Sequence, residues 1–206
     1  RKYFYNSMLP ILQHIASNSS INVNMTDRSN LTLWIINNLN RYPLFANKQF
    51  AFVANQEPER IAAFEVMSYQ YASCTGYSVL FTGILRSIGI PTRITGTPHW
   101  NCPCAGCDCA SMFECNHNWI EIYDNNGWWS FTEAYPSDYT QMNSTWFVKG
   151  ANCSIPGGNY SIYAASFAPT NGTHFIMEWD YSANYVPAWD VSLNYHKNAS
   201  NEQVGK

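Results

Sequence analysis

Apolar residues in the first part of the chain recur with the spacing of an α-helix. In "TDRSNLTLWIINNLNRY" they lie three or four positions apart, and Asp27 stands where an N-cap is expected. "EPERIAAFEVMSYQ" opens with Pro58 at a first-turn position and continues as a helix through Met67. Both segments are interpreted as scaffold helices.

A third helix is predicted after Ser73, and Gly89 and Pro91 end it. "TRITGT", which follows, predicts a strand. The stripe of the helix that is expected to be buried consists of Val79, Leu80, Gly83, Ile84 and Ile88.

Polar and apolar positions alternate in the second half of the chain. "HNWIEIYDNNGWWSFTEAYP" alternates on both sides of "DNNG", which is a strong hairpin signal. "YSIYAASFAPTNGTHFIMEWD" predicts a second hairpin that turns at "PTNGT". Helices followed by antiparallel strands predict an α+β domain, in which one helix packs on an antiparallel sheet.

The chain of 206 residues is long enough for one domain with a real core. Neither repeats nor linker composition divide it, so a single domain over residues 1–206 is expected. Its parts are an N-terminal helical part at 1–70, a core at 71–136 with a cysteine-rich insert at 101–116, and C-terminal strands at 137–206.

Composition excludes several classes of protein. Apolar residues make up 46% of the chain and aromatic residues 16%, which is incompatible with disorder. The net charge is -3 and no basic run occurs, so nucleic acid is not expected as a partner. No apolar segment reaches the roughly 18–20 residues that cross a bilayer. No signal peptide precedes Arg1, as expected of a mature or trimmed chain, and self-association stays open.

Asparagine and cysteine indicate the compartment. The chain contains seven cysteines, which favour an oxidising, secretory route. We therefore expect a protein that is secreted or lies at the extracellular surface and carries N-linked glycans, although chance triplets in an asparagine-rich chain remain the alternative. The eight Asn-X-Ser/Thr acceptors are Asn18, Asn24, Asn30, Asn143, Asn152, Asn159, Asn171 and Asn198.

Cys74 stands apart from the other cysteines, at the start of the third predicted helix. Unpaired N–H groups and the helix macrodipole favour a thiolate there, as a nucleophile requires. Of five histidines, His117 is the best placed as its base, because it begins the strand "HNWIEIY". Glu133, on the paired strand, is expected to orient the ring. A buried, unreactive Cys74 is the alternative.

These segments resemble the transglutaminase-like superfamily, whose papain-like core carries Cys, His and Asp in that order. The matching pieces are "SCTGYSVLFTGILRSIGIPTRITG", "HNWIEIY" and "WWSFTEAYP", and the resemblance covers residues 73–136. It implies that Cys74, His117 and Glu133 form a catalytic triad, with the backbone N–H of Cys74 as an oxyanion donor. Members include cross-linking transglutaminases, peptide N-glycanases, cysteine peptidases and inactive scaffolds.

The chain departs from the family pattern in two places. The third triad position is usually Asp, whereas Glu133 is one methylene longer, and Asp124 and Asp138 are weaker alternatives. The second departure is the cysteine-rich insert before His117, which is expected to cap or shape the cleft.

The remaining cysteines form an even set, which favours three disulfides over a zinc site in a secreted chain. The sequence does not choose their connectivity. The set is Cys102, Cys104, Cys107, Cys109, Cys115 and Cys153.

Other histidines and tryptophans are given structural interpretations. His99 is taken as a structural or rim residue, and Trp34 and Trp100 as core residues rather than oxyanion donors. No partner pattern surrounds His14, His174 and His196.

The function that the resemblance implies is cysteine acyl transfer on an amide bond of a protein or peptide, through a thioester. Cross-linking follows if an amine resolves the thioester, and hydrolysis follows if water does. No cofactor or metal is expected. The alternatives are a noncatalytic extracellular structural or adhesion glycoprotein, and an amidase that acts on glycoproteins or peptidoglycan-like peptides.

Overall fold

The structure is a computed structural model that describes residues 1–38, 50–54, 61–106, 115–135, 140–176 and 182–196. Its elements are α1 (Lys2–Ser17), α2 (Arg28–Asn38), β1 (Ala51–Phe52), α3 (Ala63–Tyr69), β2 (Tyr71–Ala72), α4 (Cys74–Ser87), β3 (Thr92–Thr97), α5 (Cys102–Ala105), β4 (His117–Tyr123), β5 (Trp129–Thr132), α6 (Val148–Ala151), β6 (Tyr163–Ala165), β7 (Ala188–Asp190) and α7 (Ser192–His196). None of the helices in these ranges is long and apolar enough to span a membrane.

The main sheet has five strands in the order β5-β4-β3-β6-β7, and all neighbouring strands are antiparallel. Strands β1 and β2 form a separate parallel pair that leads directly into α4. Helix α4 packs on β3 and β4. The predicted α+β class, with a helix packed on an antiparallel sheet, is confirmed.

The two faces of the sheet bury two different apolar clusters. Ile120 and Ile122 pack with α1, α2 and α4 on one face. Trp119 and Phe131 pack on the other face, which α6 and α7 cover with Phe147 and Tyr195. Because side chains alternate along a strand, His117 lies on the same face as Trp119.

Three predicted features are confirmed. "TRITGT" is β3, "DNNG" turns between β4 and β5, and the helix after Ser73 is α4. The predicted stripe of α4 is partly correct, since Leu80 and Ile84 are buried but Val79 is only half-buried. At the start of α2, the carboxylate of Asp27 accepts the N–H groups of Ser29 and Asn30, as its N-cap position predicts.

The sequence patterns predict no helix at residues 2–17, where α1 lies. Helix α3 begins at Ala63, later than predicted, and the predicted start at Pro58 is outside the described residues. The C-terminal part contains the short helices α6 and α7 in addition to strands.

The second predicted hairpin is wrong in its pairing. β6 pairs with β7 and with β3 instead, and the described residues directly after "PTNGT", 174–176, form no strand with it. His174 forms only an isolated bridge with Pro187. Within "PTNGT", the N–H of Gly172 donates to the carbonyl of Thr170. The strand that pairs with β6 after this turn lies much farther along the chain, at Ala188–Asp190, so the connection is longer than that of a tight hairpin.

A disulfide joins Cys104 in α5 to Cys153, which follows α6, across 49 positions of sequence. Cys102 and Cys115 each take part in a disulfide as well, but not with each other, since their sulfur atoms lie 3.9 Å apart. Cys107 and Cys109 lie outside the described residues. The disulfide expectation is therefore confirmed for the bond between α5 and α6, while the full set of three stays a prediction.

Candidate active site

Cys74 is the first residue of α4. Ser73, between the end of β2 and this helix, has an extended backbone. The first helical bond of α4 runs from Tyr77 N–H to the carbonyl of Ser73, at 3.1 Å. The preceding N–H groups, including that of Cys74, therefore point along the helix axis without an intrahelical acceptor. Cys74 is the free cysteine of the described residues, and 9% of its surface is exposed. Its sulfur thus lies at the positive end of a helix.

His117 is the first residue of β4, paired with Thr97 at the end of β3. Its side chain is buried, and its interaction with the Cys74 side chain is one of the causes that raise the pKa of His117. The rings of Trp119 and Phe147 pack against the imidazole, with centroids 5.8 and 5.1 Å away. The strand and these two rings fix the imidazole beside the start of α4.

Glu133 follows β5 and is buried next to His117. Its Oε2 accepts a hydrogen bond from Nε2 of His117 at 2.8 Å and another from Nε1 of Trp146 at 2.9 Å. Its Oε1 accepts the N–H of Ala134 at 2.9 Å. Since a carboxylate only accepts, Nε2 of His117 carries a proton, and Nδ1 is left for Cys74.

Charge within this group favours an imidazolium and a carboxylate. Burial is the largest single effect on His117 and opposes its protonation. The charge of Glu133, the hydrogen bonds with Cys74 and Glu133 and the charge of Cys74 together outweigh burial and raise the pKa of His117 to about 10. Burial likewise disfavours the ionised Glu133, yet the charge of His117 and hydrogen bonds from His117, Trp146 and Ala134 hold the pKa of that carboxyl below its usual value. The pair is ionised at neutral pH.

A hydrogen bond also joins the residues that follow the thiol and the imidazole. Nδ2 of Asn118 donates to Oγ1 of Thr75 at 2.8 Å. Gly96, opposite Asn118 in β3, leaves room for this side chain. A Cβ at position 96 would stand 2.2 Å from Oδ1 of Asn118 and 2.7 Å from the carbonyl oxygen of His117. The glycine therefore permits the bond that ties α4 to β4 at the site.

Replacing Gly96 by Ala is expected to lower the free energy of unfolding by about 2 kcal/mol, because Asn118 and the backbone of His117 must both move. Loss of the bond to Thr75 should also slow alkylation of Cys74. Urea unfolding and timed iodoacetamide labelling measure the two effects. Gly158→Ala is the matched control, since nothing lies within 4 Å of its added Cβ. Equal behaviour of the two variants would contradict the steric argument.

The alternative acids lie elsewhere or are not described. Asp124 occupies the turn at the far end of the β4–β5 hairpin, where its carboxylate accepts the N–H groups of Asn126 and Trp128 and the hydroxyl of Ser130. Asp138 is outside the described residues. The structure thus brings Cys74 and Glu133 to His117, as the sequence predicts.

The other four histidines make their contacts away from Cys74, His117 and Glu133. Nδ1 of His99 bonds to the carbonyl of Trp100, and Nε2 of His196 donates to the carbonyl of Ser154. His14 is exposed on α1, and His174 bridges Pro187. These contacts agree with the structural interpretations given above.

Two tryptophans were weighed as oxyanion donors, and both pack in apolar clusters. Trp100 is buried and stacks on Trp119. Trp34 packs against the cluster around α4. Trp119 and Trp146 both contact the ring of His117, and Trp146, which also bonds to Glu133, is the one that the sequence does not predict. It lies between α6 and β5 without any periodic pattern, so its spacing gives no signal.

Most of the glycan acceptor sites are accessible. Asn18 and Asn152 are half-buried, and Asn198 is outside the described residues. Exposure is the condition that a glycan requires, so N-glycosylation stays a proposal with five exposed sites, although Nδ2 of Asn143 donates a hydrogen bond to Oγ of Ser130. The exposed acceptors are Asn24, Asn30, Asn143, Asn159 and Asn171.

A family model described as the transglutaminase-like superfamily matches residues 31–132. The match includes Cys74 and His117 and ends immediately before Glu133. No curated protein and no solved structure matches the chain.

Proposed function

The chain belongs to the transglutaminase-like superfamily through residues 31–132, and on that premise we propose that it is a cysteine enzyme that acts on amide bonds by acyl transfer through a thioester. One observation carries the proposal. The thiol of Cys74, at a helix start, interacts with the imidazole of His117, and Glu133 accepts a hydrogen bond from Nε2 of that ring. This is the arrangement of nucleophile, base and orienting acid that acyl transfer requires.

In the first half of the reaction, the Cys74 thiolate attacks the carbonyl carbon of the substrate amide and a C–S bond forms. The carbonyl oxygen becomes an oxyanion, which the backbone N–H of Cys74 stabilises together with the positive end of α4. The carbonyl re-forms as the C–N bond breaks. His117 donates its proton to the nitrogen, which leaves as ammonia or an amine, and an acyl thioester remains on Cys74.

In the second half, neutral His117 removes a proton from an incoming amine or water, which attacks the thioester carbon. The C–S bond breaks and returns the thiolate, with His117 protonated again. An amine gives a new amide and therefore cross-linking, whereas water gives a carboxylic acid. Glu133 keeps the imidazole oriented through both halves, since its Oε2 holds Nε2 at 2.8 Å.

Every step uses groups of the chain itself, and the proposed substrate is an amide of a protein or peptide. The cysteine usage and the exposed Asn-X-Ser/Thr sites support a secreted or cell-surface glycoprotein. The competing proposal is a structural or adhesion glycoprotein that retains the fold without turnover. The low fraction of charged residues, 12%, supports it, because glycans rather than charges would then maintain solubility.

The test is incorporation of the fluorescent amine dansylcadaverine into casein, run beside an assay for released ammonia. Amine incorporation is expected in the wild type if the thioester is resolved by amines. Ammonia without incorporation indicates hydrolysis. Both signals should vanish in Cys74→Ala, because the nucleophile is removed. If neither signal forms and no thioester with Cys74 can be trapped, the structural alternative replaces the enzyme.

A further inference from the structure

Trp146 is fixed in place although it is exposed. Its surface is 68% accessible, yet its indole N–H donates to Oε2 of Glu133 at 2.9 Å. Its ring lies 4.8 Å from the imidazole of His117, with the planes tilted by 56°. An indole is a large apolar surface that folding usually covers. At this position it instead covers the outer side of the histidine and its carboxylate.

The hydrogen bond of Trp146 removes a freedom that the longer acid introduces. Glu133 has one more rotatable bond than the usual Asp, so its carboxylate has more orientations available. Oε2 accepts from both His117 and Trp146, while Oε1 accepts from Ala134. These three donors, one from each of three chain segments, fix the plane of the carboxylate and its distance from the ring.

The segment that carries Trp146 is anchored on its C-terminal side. The next residue, Phe147, is buried and stacks on Trp119 at 4.5 Å between ring centroids. Helix α6 begins at Val148 and leads to Cys153, which is disulfide-bonded to Cys104 in the cysteine-rich insert. Gly150 of α6 lies so close to Trp100 that an added Cβ would be 2.9 Å from its ring. The insert thereby helps to hold Trp146 over the site.

We propose that Trp146 is a positioning residue, which orients Glu133 through its indole N–H and so holds the imidazole of His117 in the geometry for proton transfer. The inference rests on the acyl-transfer function proposed above. Trp146 acts through Glu133 and takes no proton itself. Its contact with the ring of His117 adds a wall that keeps the imidazole from rotating outward.

Removing the indole N–H while an aromatic ring is kept should change the pKa of Glu133 and, through it, the pH dependence of activity. Trp146→Phe leaves an aromatic side chain beside His117 but takes one donor from Glu133. The carboxylate then holds its proton to a higher pH, because the hydrogen bond from Trp146 is one of the causes that lower the pKa of Glu133. The loss of activity on the acid side should therefore begin at higher pH than in the wild type.

The first test observes the bond without any substrate. In ¹⁵N-labelled protein, the resonance absent from Trp146→Phe identifies the indole N–H of Trp146. It is expected to move in Glu133→Gln and to titrate at acid pH, as Glu133 takes up a proton. Trp189→Phe, a change on the edge strand β7 where the ring is 52% exposed, is the control and should leave it unchanged. A resonance that ignores Glu133→Gln overturns the proposal.

The second test measures amine incorporation by Trp146→Phe over a pH series. The kcat value is expected to fall about 10-fold with KM nearly unchanged, as for other residues that orient a reacting group. The fall of kcat on the acid side of the pH profile should occur at a higher pH than in the wild type, and Trp189→Phe should have the same profile as the wild type. If Trp146→Phe changes neither kcat nor the pH at which activity falls on the acid side, the positioning role is overturned. The proposed function is not affected by that result.

If the wild type incorporates no amine, releases no ammonia and forms no thioester on Cys74, the proposed function fails. The role of Trp146 is then decided by the ring resonances of His117. These should show the acid-side step, caused by protonation of Glu133, at a higher pH in Trp146→Phe than in the wild type or in Trp189→Phe. The same midpoint in all three proteins overturns the proposal.

Discussion

Iodoacetamide is expected to label Cys74 in the folded protein, because its sulfur lies at the start of α4 beside the imidazole of His117. His117→Ala should slow this labelling by about 100-fold, because the neighbouring positive charge is lost. The charge of Cys74 is one of the causes that raise the pKa of His117. Turnover should fall further, by about 1000-fold or more, since the proton donor is removed as well.

A time course of intact mass after iodoacetamide addition to the folded protein measures the rate. His14→Ala, a change on the exposed surface of α1, is the control and should label like the wild type. Glu133→Gln should affect labelling less than His117→Ala but still lower turnover, because ring orientation matters more to proton transfer than to thiolate formation. If Cys74 resists labelling until the protein is denatured and His117→Ala changes nothing, the thiol is structural and the enzyme proposal fails.

The site could be predicted because its three residues lie on elements with clear local signals. A helix start identifies Cys74, and the "DNNG" turn sets the register of β4 against β5. With Ile120 opposite Thr132, Glu133 falls diagonally from His117 on the same face of the sheet. Local turn chemistry thus determined a contact between residues 16 positions apart.

The contacts that the sequence did not reveal depend on segments without periodicity. Trp146 reaches Glu133 from the connection between β5 and α6, and the packing of Phe147 beneath it helps to fix its direction. The pairing of Cys104 with Cys153 is likewise a tertiary event, because spacing alone does not choose among the six cysteines.

Helix α1 and the pairing of β6 with β7 were not predicted, for different physical reasons. Helix α1 does have a buried stripe at helical spacing, formed by Phe4, Met8, Ile11 and Ile15, but Pro10 lies within it. Proline normally breaks a helix interior, so the pattern is easily passed over. The pairing of β6 with β7 joins strands separated by a long connection, whereas "PTNGT" lies between them and suggests a tighter turn than the chain forms.

Glu133→Gln is expected to lower the free energy of unfolding by about 3 kcal/mol near pH 5–6, because it leaves a buried imidazolium without its counter-charge. The pKa of His117 is raised to about 10, so its contribution is complete below the unfolded value of about 6.5 and is lost as the pH rises through about 10. The pKa of Glu133 is lowered, so its contribution is present above the ordinary carboxyl range and is lost as the pH falls.

The difference in stability between wild type and Glu133→Gln should therefore be largest between about pH 4.5 and 6.5 and shrink on both sides of this window. Urea unfolding at a series of pH values measures it. Glu65→Gln on α3 is the matched control, for which we expect no such maximum, since Glu65 lies outside the pair with His117. A difference that stays constant from pH 4 to pH 10 would mean that His117 is neutral in the folded protein. That result would contradict the proposal that His117 and Glu133 are both ionised. It would also contradict the proposal that the imidazolium activates Cys74.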